Sequence, residues 1–368
     1  MKNMKTGKVD RLMLWIIGGL LFLGLSTLAS ASFSLSEKEY GAPLTLFYRQ
    51  IIFGVGVGLV LFWVGIRIPV ALYRKYASLI LISALFLATL VLIPGIGVIH
   101  GGARRWLSIG GMTFQPSEAL KLAFIIYLSS WMASRQKVLG TWREGFLPFI
   151  VITAVVGVFI YLEPDIGTLG VFALTALALF FVGGGKASQI FLAVLLGAAL
   201  LSLIIYFEPY RRDRVLAFFH PERYEQSKSW QSDQALIAIG SGGLFGHGLG
   251  YSRQKFQYLP EPAGDAIFAV YAEELGFFGV LILFALFLGF FLRGMLIVAR
   301  ARDIFSKLLA SGITLLVIIQ VIVNIAAISR SFLLTGIPLP FMSQGGSALA
   351  FLLFEMGILL HISRRTTS

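Results

Sequence analysis

The sequence predicts an all-α polytopic membrane protein with about ten transmembrane helices, and three observations carry that prediction. Hydrophobic residues fill 57% of the 368 positions and charged residues only 13%, more apolar surface than a water-soluble core hides. The mean hydropathy is +0.86, and the apolar residues gather in runs long enough to cross a bilayer as helices. Basic residues collect in alternate connections between those runs, as they do when a chain threads a membrane repeatedly. There is no cysteine, which excludes disulfides, thiolate catalysis and Cys-ligated metals.

The first apolar run follows MKNMKTGKVD and has the outline of a signal peptide. It is too long for a typical signal core and more spans follow, so it reads as a retained first helix. The spans are placed at 12–31, 45–65, 76–93, 117–133, 146–162, 167–182, 188–207, 267–292, 307–328 and 346–362. With the N-terminus inside, the inner segments hold Lys2, Lys5, Lys8 and Arg11, then Arg67, Arg74 and Lys75, then Arg135, Lys137 and Arg143. Lys186, the set Arg293, Arg300, Arg302 and Lys307, and finally Arg364 and Arg365 continue the series, offset only by Asp10, Glu144 and Asp303. The even span count and this bias agree on N-in/C-in. The net charge of +12 therefore reports loop asymmetry rather than nucleic-acid binding.

Two outer connections stand out. Residues 94–116, PGIGVIHGGARRWLSIGGMTFQP, carry Arg104 and Arg105 on the side where basic residues are disfavoured. Residues 208–264 form a long extracytoplasmic loop between spans seven and eight, with Arg211 and Arg214 near its start. Loops of that length are usually functional. Within it, 232–241 has the pattern of a short amphipathic helix and runs into a glycine-rich stretch ending at Gly250. That stretch does not match the dinucleotide fingerprint and follows no predicted strand. No internal repeat or linker divides the chain, so 1–368 reads as one membrane domain.

Polar residues inside apolar spans are costly and point to function. Glu118 and Lys121 lie three apart and share a helix face, as a self-neutralising pair, as part of a cavity, or both. Asp165, after Glu163 and Pro164, suits a helix cap and also stands within reach of Lys121. Asp265 opens span eight, where an N-cap role is the plain reading. Glu273 and Glu274 follow it; a straight helix would put Glu273 about 12 Å deeper and about 80° around from Asp265, and Glu274 on the opposite side. Capping explains one acid, not three. A buried carboxylate of this kind suits a general base. His100, His220 and His247 lack metal-ligand spacing. GVGVG at 54–58 reads as helix packing. PLPFMSQGGSA at 338–348, with Ser343, Gly345 and Gly346, predicts irregular backbone at membrane depth, tolerated only where it is buried or lines a cavity.

These motifs together resemble the SEDS family, which includes FtsW, RodA and SpoVE, and most closely its FtsW branch. The matching segments are GGARRW, QPSEALKL, EPDIGT, RRDRVLAFFHP, WQSDQALIAIGSGGLFGHGLG, YLPEPAGDAIFAVYAEELGFFG and TGIPLPFMSQGG, in order along nearly the whole chain. Gly264 stands where the family usually has Thr or Ser, SQGGSA replaces SYGGSS, and Arg330 occupies a stretch that usually carries glycine. The resemblance implies a peptidoglycan glycosyltransferase of the bacterial cytoplasmic membrane that polymerises lipid II and releases undecaprenyl pyrophosphate. It implies Asp265 as the base and Arg104, Arg105, Lys121, Arg211 and Arg214 as cations for the diphosphate, with Glu118 and Asp165 holding Lys121. Glu273, Ser343, Gly345 and Gly346 would complete a substrate site facing outward. A class B penicillin-binding protein is the implied partner, among membrane lipids and without nucleic acid. A divalent cation, Mg2+ or Mn2+, would assist the diphosphate, although the sequence shows no ligand set for one. The alternatives are a lipid II flippase and a non-catalytic scaffold of a cell-wall complex.

Overall fold

The computed structural model describes residues 9–100, 103–109, 112–219, 230–256 and 258–364. Lys2, Lys5, Lys8, His220 and Arg365 lie outside the described residues, as do the side chains of His100, Arg211 and Arg214.

The predicted spans are all helical. The first is α1 (Arg11–Ala31), whose N-cap Asp10 accepts from the Met13 amide at 3.0 Å. Arg293 closes on the same carboxylate at 2.8 Å. A polar helix, α2 (Phe33–Tyr40), leads to the second span, α3 (Thr45–Arg49) and α4 (Val57–Arg67), joined by a π-helical stretch, Gln50–Gly56. Next come α5 (Val70–Lys75), α6 (Ala77–Leu92), α7 (Pro116–Ser134), a π-helical turn at Trp142–Phe146, α8 (Leu147–Leu162), α9 (Ile166–Val182) and α10 (Ala187–Phe207). The long outer loop contains α11 (Pro209–Phe219) and α12 (Trp230–Ser241), so the predicted amphipathic helix is present. The last three spans are α13 (Ile267–Arg300), α14 (Ile304–Ile328) and α15 (Gly346–Ser363).

Among the described residues, seven of these spans are long and apolar enough to cross a membrane on their own. Ala77–Leu92 and Ile166–Val182 are apolar but shorter. The tenth, α7, is diluted by Glu118 and Lys121 and is nonetheless almost wholly buried. It forms the centre of the bundle with α14 and α15, whereas α10 lies at the edge with most of its side chains exposed. Gly58 faces Leu353 of α15 so closely that a Cβ there would stand 2.6 Å from Leu353 Cδ1. The small-residue pattern at 54–58 is therefore helix packing, as read from the sequence.

One outer connection carries strands. Its described residues form three short antiparallel strands, β1 (Gly97–His100), β2 (Ala103–Ile109) and β3 (Met112–Phe114), in that spatial order. The sequence carried a signal for it: short runs with alternating apolar residues, separated by Gly-Gly pairs.

The glycine-rich run after α12 has a structural use. Helix α13 is broken at Gly276, whose φ of 65° and ψ of −165° are not helical. Glycine tolerates that φ without the Cβ penalty of other residues. The break frees carbonyls before it and amides after it, and the run supplies their partners. His247 and Gly248 amides donate to the carbonyls of Glu273 and Glu274, at 3.1 and 2.9 Å. The Phe277 and Phe278 amides donate to the carbonyls of Gly243 and Leu244, at 2.9 and 3.1 Å. A Cβ on Gly242, Gly246 or Gly276 would collide with the opposing backbone. Irregular backbone at this depth persists because these freed groups find such partners.

Candidate active site

Asp265 sits in the turn before α13, half-buried at the outer end of the bundle. It is not the N-cap predicted from the sequence, because that position falls to Ala266, which offers no side-chain cap. Asp265 Oδ1 accepts from Gln231 Nε2 of α12 at 3.0 Å. Oδ2 lies beside Gly336, 3.9 Å from where a Cβ would stand.

The turn is held from below by the irregular segment ahead of α15. Ser343 Oγ donates to the Gly264 carbonyl at 2.7 Å and accepts from the Leu339 amide at 2.7 Å. The Gln344 amide donates to the Ala263 carbonyl at 2.8 Å. Asn324 Nδ2 of α14 bridges the carbonyls of Asp265 and Ile337, at 2.9 and 2.7 Å. Gly345 donates its amide to Gln50 Oε1 at 3.0 Å, and Gly346 packs on Phe53. The π-helical turn of the second span thus anchors the start of α15. Ser343, Gly345 and Gly346 act here as supports for the Asp265 turn.

Ser343 also borders a cavity of about 30 Å³ lined by Glu118 and Lys121 of α7, Gln320 of α14 and Glu355 of α15. That volume suits a water or two rather than a sugar. Lys121 Nζ pairs with Glu118 Oε1 at 2.9 Å, as their spacing predicted. Glu355 is the residue that sequence reasoning missed. It is 4% exposed and lies within electrostatic range of both Lys121 and Glu118. The signal was available, since an acid inside FLLFEMGILL is an intramembrane ionisable group by sequence alone.

Three expectations are corrected by the geometry. Asp165 does not hold Lys121. It caps α9 by accepting from the Thr168 amide at 3.0 Å, and its ion partner is Arg105 at 3.6 Å. The reason is strand β2, which carries Arg105 across the outer end of the bundle, where its Nε also donates to the Glu163 carbonyl at 2.9 Å and its Nη2 to the Pro164 carbonyl at 2.5 Å. Arg104, expected as a cation for the diphosphate, points to the other side of the strand, toward the Leu92 carbonyl at 3.4 Å. Glu273 does not line the cavity either. It faces the returning loop, where it accepts from the Ser252 hydroxyl at 2.5 Å and from the Arg253 and Gln254 amides at 2.8 and 3.3 Å. Glu274 grips the same loop through Lys255 at 3.0 Å and reaches Ser30 of α1. Arg211 and Arg214 stand on α11, with side chains outside the described residues. Arg330, an oddity of the sequence, pairs with Asp233 at 2.6 Å and ties α12 to the end of α14.

Glu163 lies between α8 and α9 and is fully buried. Burial pushes its carboxyl up from 4.5 to about 8. The charge of Asp165 adds to the rise, while Ser117 and Arg105 oppose it. The folded protein therefore keeps this proton up to about pH 8, while the unfolded chain loses it near 4.5. Stability falls across that window and levels off above it. Glu163→Gln does not titrate, so its thermal stability relative to wild type is expected to rise from pH 5 to pH 8 and then stay flat. A pH-independent difference in melting temperature would refute this.

Among the described residues no three His, Asp or Glu side chains converge as metal ligands.

A family model described as Cell cycle protein, FtsW/RodA/SpoVE, matches residues 11–368. The chain belongs to this family. Stage V sporulation protein E of Bacillus subtilis (strain 168) is 36% identical to it over 96% of this chain and 97% of its own length. The protein named Probable peptidoglycan glycosyltransferase FtsW from Coxiella burnetii (strain RSA 493 / Nine Mile phase I) is 38% identical over 94% of each. A chain of a solved peptidoglycan synthase complex, described as coordinating polymerization and crosslinking, superposes with a TM-score of 0.77 at 25% identity, covering 97% of this chain and 98% of that one. The resemblance read from the motifs is thereby established, along with the multi-pass helical membrane fold.

Proposed function

We propose that this FtsW/RodA/SpoVE-family chain is a peptidoglycan glycosyltransferase that polymerises lipid II at the outer face of the cytoplasmic membrane. The observation that carries the reading is the Asp265 carboxylate, held on a pinned turn at the outer end of α13 and joined to Gln231 of α12. A base there accepts the proton of the acceptor's GlcNAc 4-hydroxyl as its oxygen bonds to the MurNAc anomeric carbon of the donor. The bond from that carbon to the diphosphate breaks, undecaprenyl pyrophosphate leaves with the electron pair, and the anomeric centre inverts. General-base assistance of this kind supplies about 10²–10⁴ in rate.

The leaving diphosphate needs cations. Arg105 is already engaged by Glu163, Pro164 and Asp165, and Lys121 is buried against Glu118. The diphosphate role therefore passes to Arg211 and Arg214 on α11, whose guanidinium groups suit phosphate geometry. Lys121, Glu118 and Glu355 then serve as a charged support beneath the Asp265 turn, linked to it through Ser343.

A flippase would need a polar passage across the bundle, and the cavity lined by Glu118, Lys121 and Glu355 holds about 30 Å³, too small for a disaccharide. That favours chemistry at one face. The superposing synthase complex supports a crosslinking partner, a class B penicillin-binding protein for this chain. The test is glycan polymerisation from labelled lipid II by the purified chain, alone and with such a partner. Polymer accompanied by released undecaprenyl pyrophosphate supports the transferase. Lipid II that binds but is never joined, with or without partner, returns the flippase and scaffold readings.

A further inference from the structure

We infer that the cytoplasmic end of the bundle carries a binding site for the phosphate headgroup of an anionic phospholipid, in a groove between α5, α6 and α7. The groove encloses about 530 Å³ and lies far from Asp265 along the chain's path across the membrane. It is bordered by Arg74 and Lys75 of α5, Ser78 of α6, and Ser130, Trp131 and Ser134 at the end of α7 opposite Glu118. This is the end at which Asp10 meets Arg293 and His361 meets the Ile66 carbonyl, the side that holds both termini.

Four features point to this ligand. Two cations and the hydroxyls of Ser78 and Ser130 border the groove and no acid does, which is a donor set for phosphate oxygens; Ser134 Oγ already donates to the Trp131 carbonyl at 2.7 Å. The cations are not spent elsewhere: among the described residues Arg74 makes no ion pair or hydrogen bond, and Lys75 only lies over the Tyr76 ring at 5.1 Å. Trp131 and Tyr127 supply the aromatic border typical of the membrane–water boundary. The fourth feature separates a lipid from a soluble phosphate. Below Ser78 the same face of α6 continues with Ile82 and Phe86, each 62% exposed, a track on which an acyl chain can lie while its headgroup occupies the groove. Basic pockets between helices on the cytoplasmic side are a recurring place for anionic headgroups.

The test uses the full chain extracted from vesicles containing phosphatidylglycerol and phosphatidylcholine, with retained lipids counted by native mass spectrometry. Wild type is expected to retain phosphatidylglycerol selectively. In Arg74→Gln/Lys75→Gln, retention should fall about thirtyfold, each basic residue near the surface contributing about fivefold. Both residues are exposed, so the fold is not at stake. Arg143→Gln, an exposed basic residue on the same face, serves as control and should retain the lipid. Ile82→Asn should weaken retention of the lipid without changing binding of inorganic phosphate. Equal retention by the double variant and the control would overturn the site. Inorganic phosphate that binds as tightly as the lipid, with Ile82→Asn without effect, would assign the groove to a soluble phosphate and overturn the lipid reading.

Discussion

Replacing Asp265 with asparagine is expected to yield a folded, membrane-inserted protein that makes no glycan polymer. The turn is tied through its backbone and its neighbours. Asn324 holds the Asp265 carbonyl, and Ser343 holds the Gly264 carbonyl. An asparagine oxygen still accepts from Gln231 as Oδ1 does at 3.0 Å. The amide cannot take a proton from a sugar hydroxyl, so the general-base contribution of about 10²–10⁴ is lost. The check pairs polymer yield from labelled lipid II with thermal unfolding in the same detergent. Unchanged melting with no polymer is the expected result. Full activity in the variant would remove Asp265 as base. Loss of both fold and activity would show that the carboxylate is needed to hold the turn.

The Asp265 turn also shows which parts of the site were legible in the sequence. The multi-pass helical fold was, because bilayer thickness fixes the length of each apolar run. The Glu118–Lys121 pair was legible too, since it depends only on positions three apart on one helix. Glu273 and Glu274 were not, because their partners come from Ser252, Arg253 and Lys255 of the returning loop, which the helix pattern does not reveal. The break at Gly276 needs a backbone partner from the Gly242–Gly248 run, a contact between segments some thirty residues apart that no local pattern encodes. Arg105 escaped for the same reason: strand β2 moves it over Asp165, and pairing of strands in an outer loop carries a weaker signal than a membrane helix. Glu355 is a different case. Its sequence context was informative, and only the packing of α15 against α7 shows what it faces.

Lys255→Met is expected to be among the most destabilising single substitutions, costing about 3–5 kcal/mol. Lys255 and Glu274 form an ion pair at 3.0 Å with side chains 2% and 0% exposed. Lys255 Nζ also donates to the Gly250 carbonyl at 2.6 Å and to Ser30 Oγ at 2.7 Å. Removing the cation strands a carboxylate in the bundle, where its remaining donors are neutral: Ser30 and the Ser252 amide at 3.3 Å. The cost comes from that stranded charge more than from the lost attraction, which makes it separable. Glu274→Gln in the Lys255→Met background removes the charge and should recover most of the stability, a coupling that a double-mutant cycle on melting in detergent reads directly. The loop these residues anchor closes the break in α13, and α13 begins at the Asp265 turn. Polymerisation should therefore fall in the single variant and return with stability in the double. Additive losses would mean that the pair is not energetically coupled and that packing alone fixes the loop. Recovery of stability without activity would mean that the charge pair positions the outer end of α13 as well as supporting the fold.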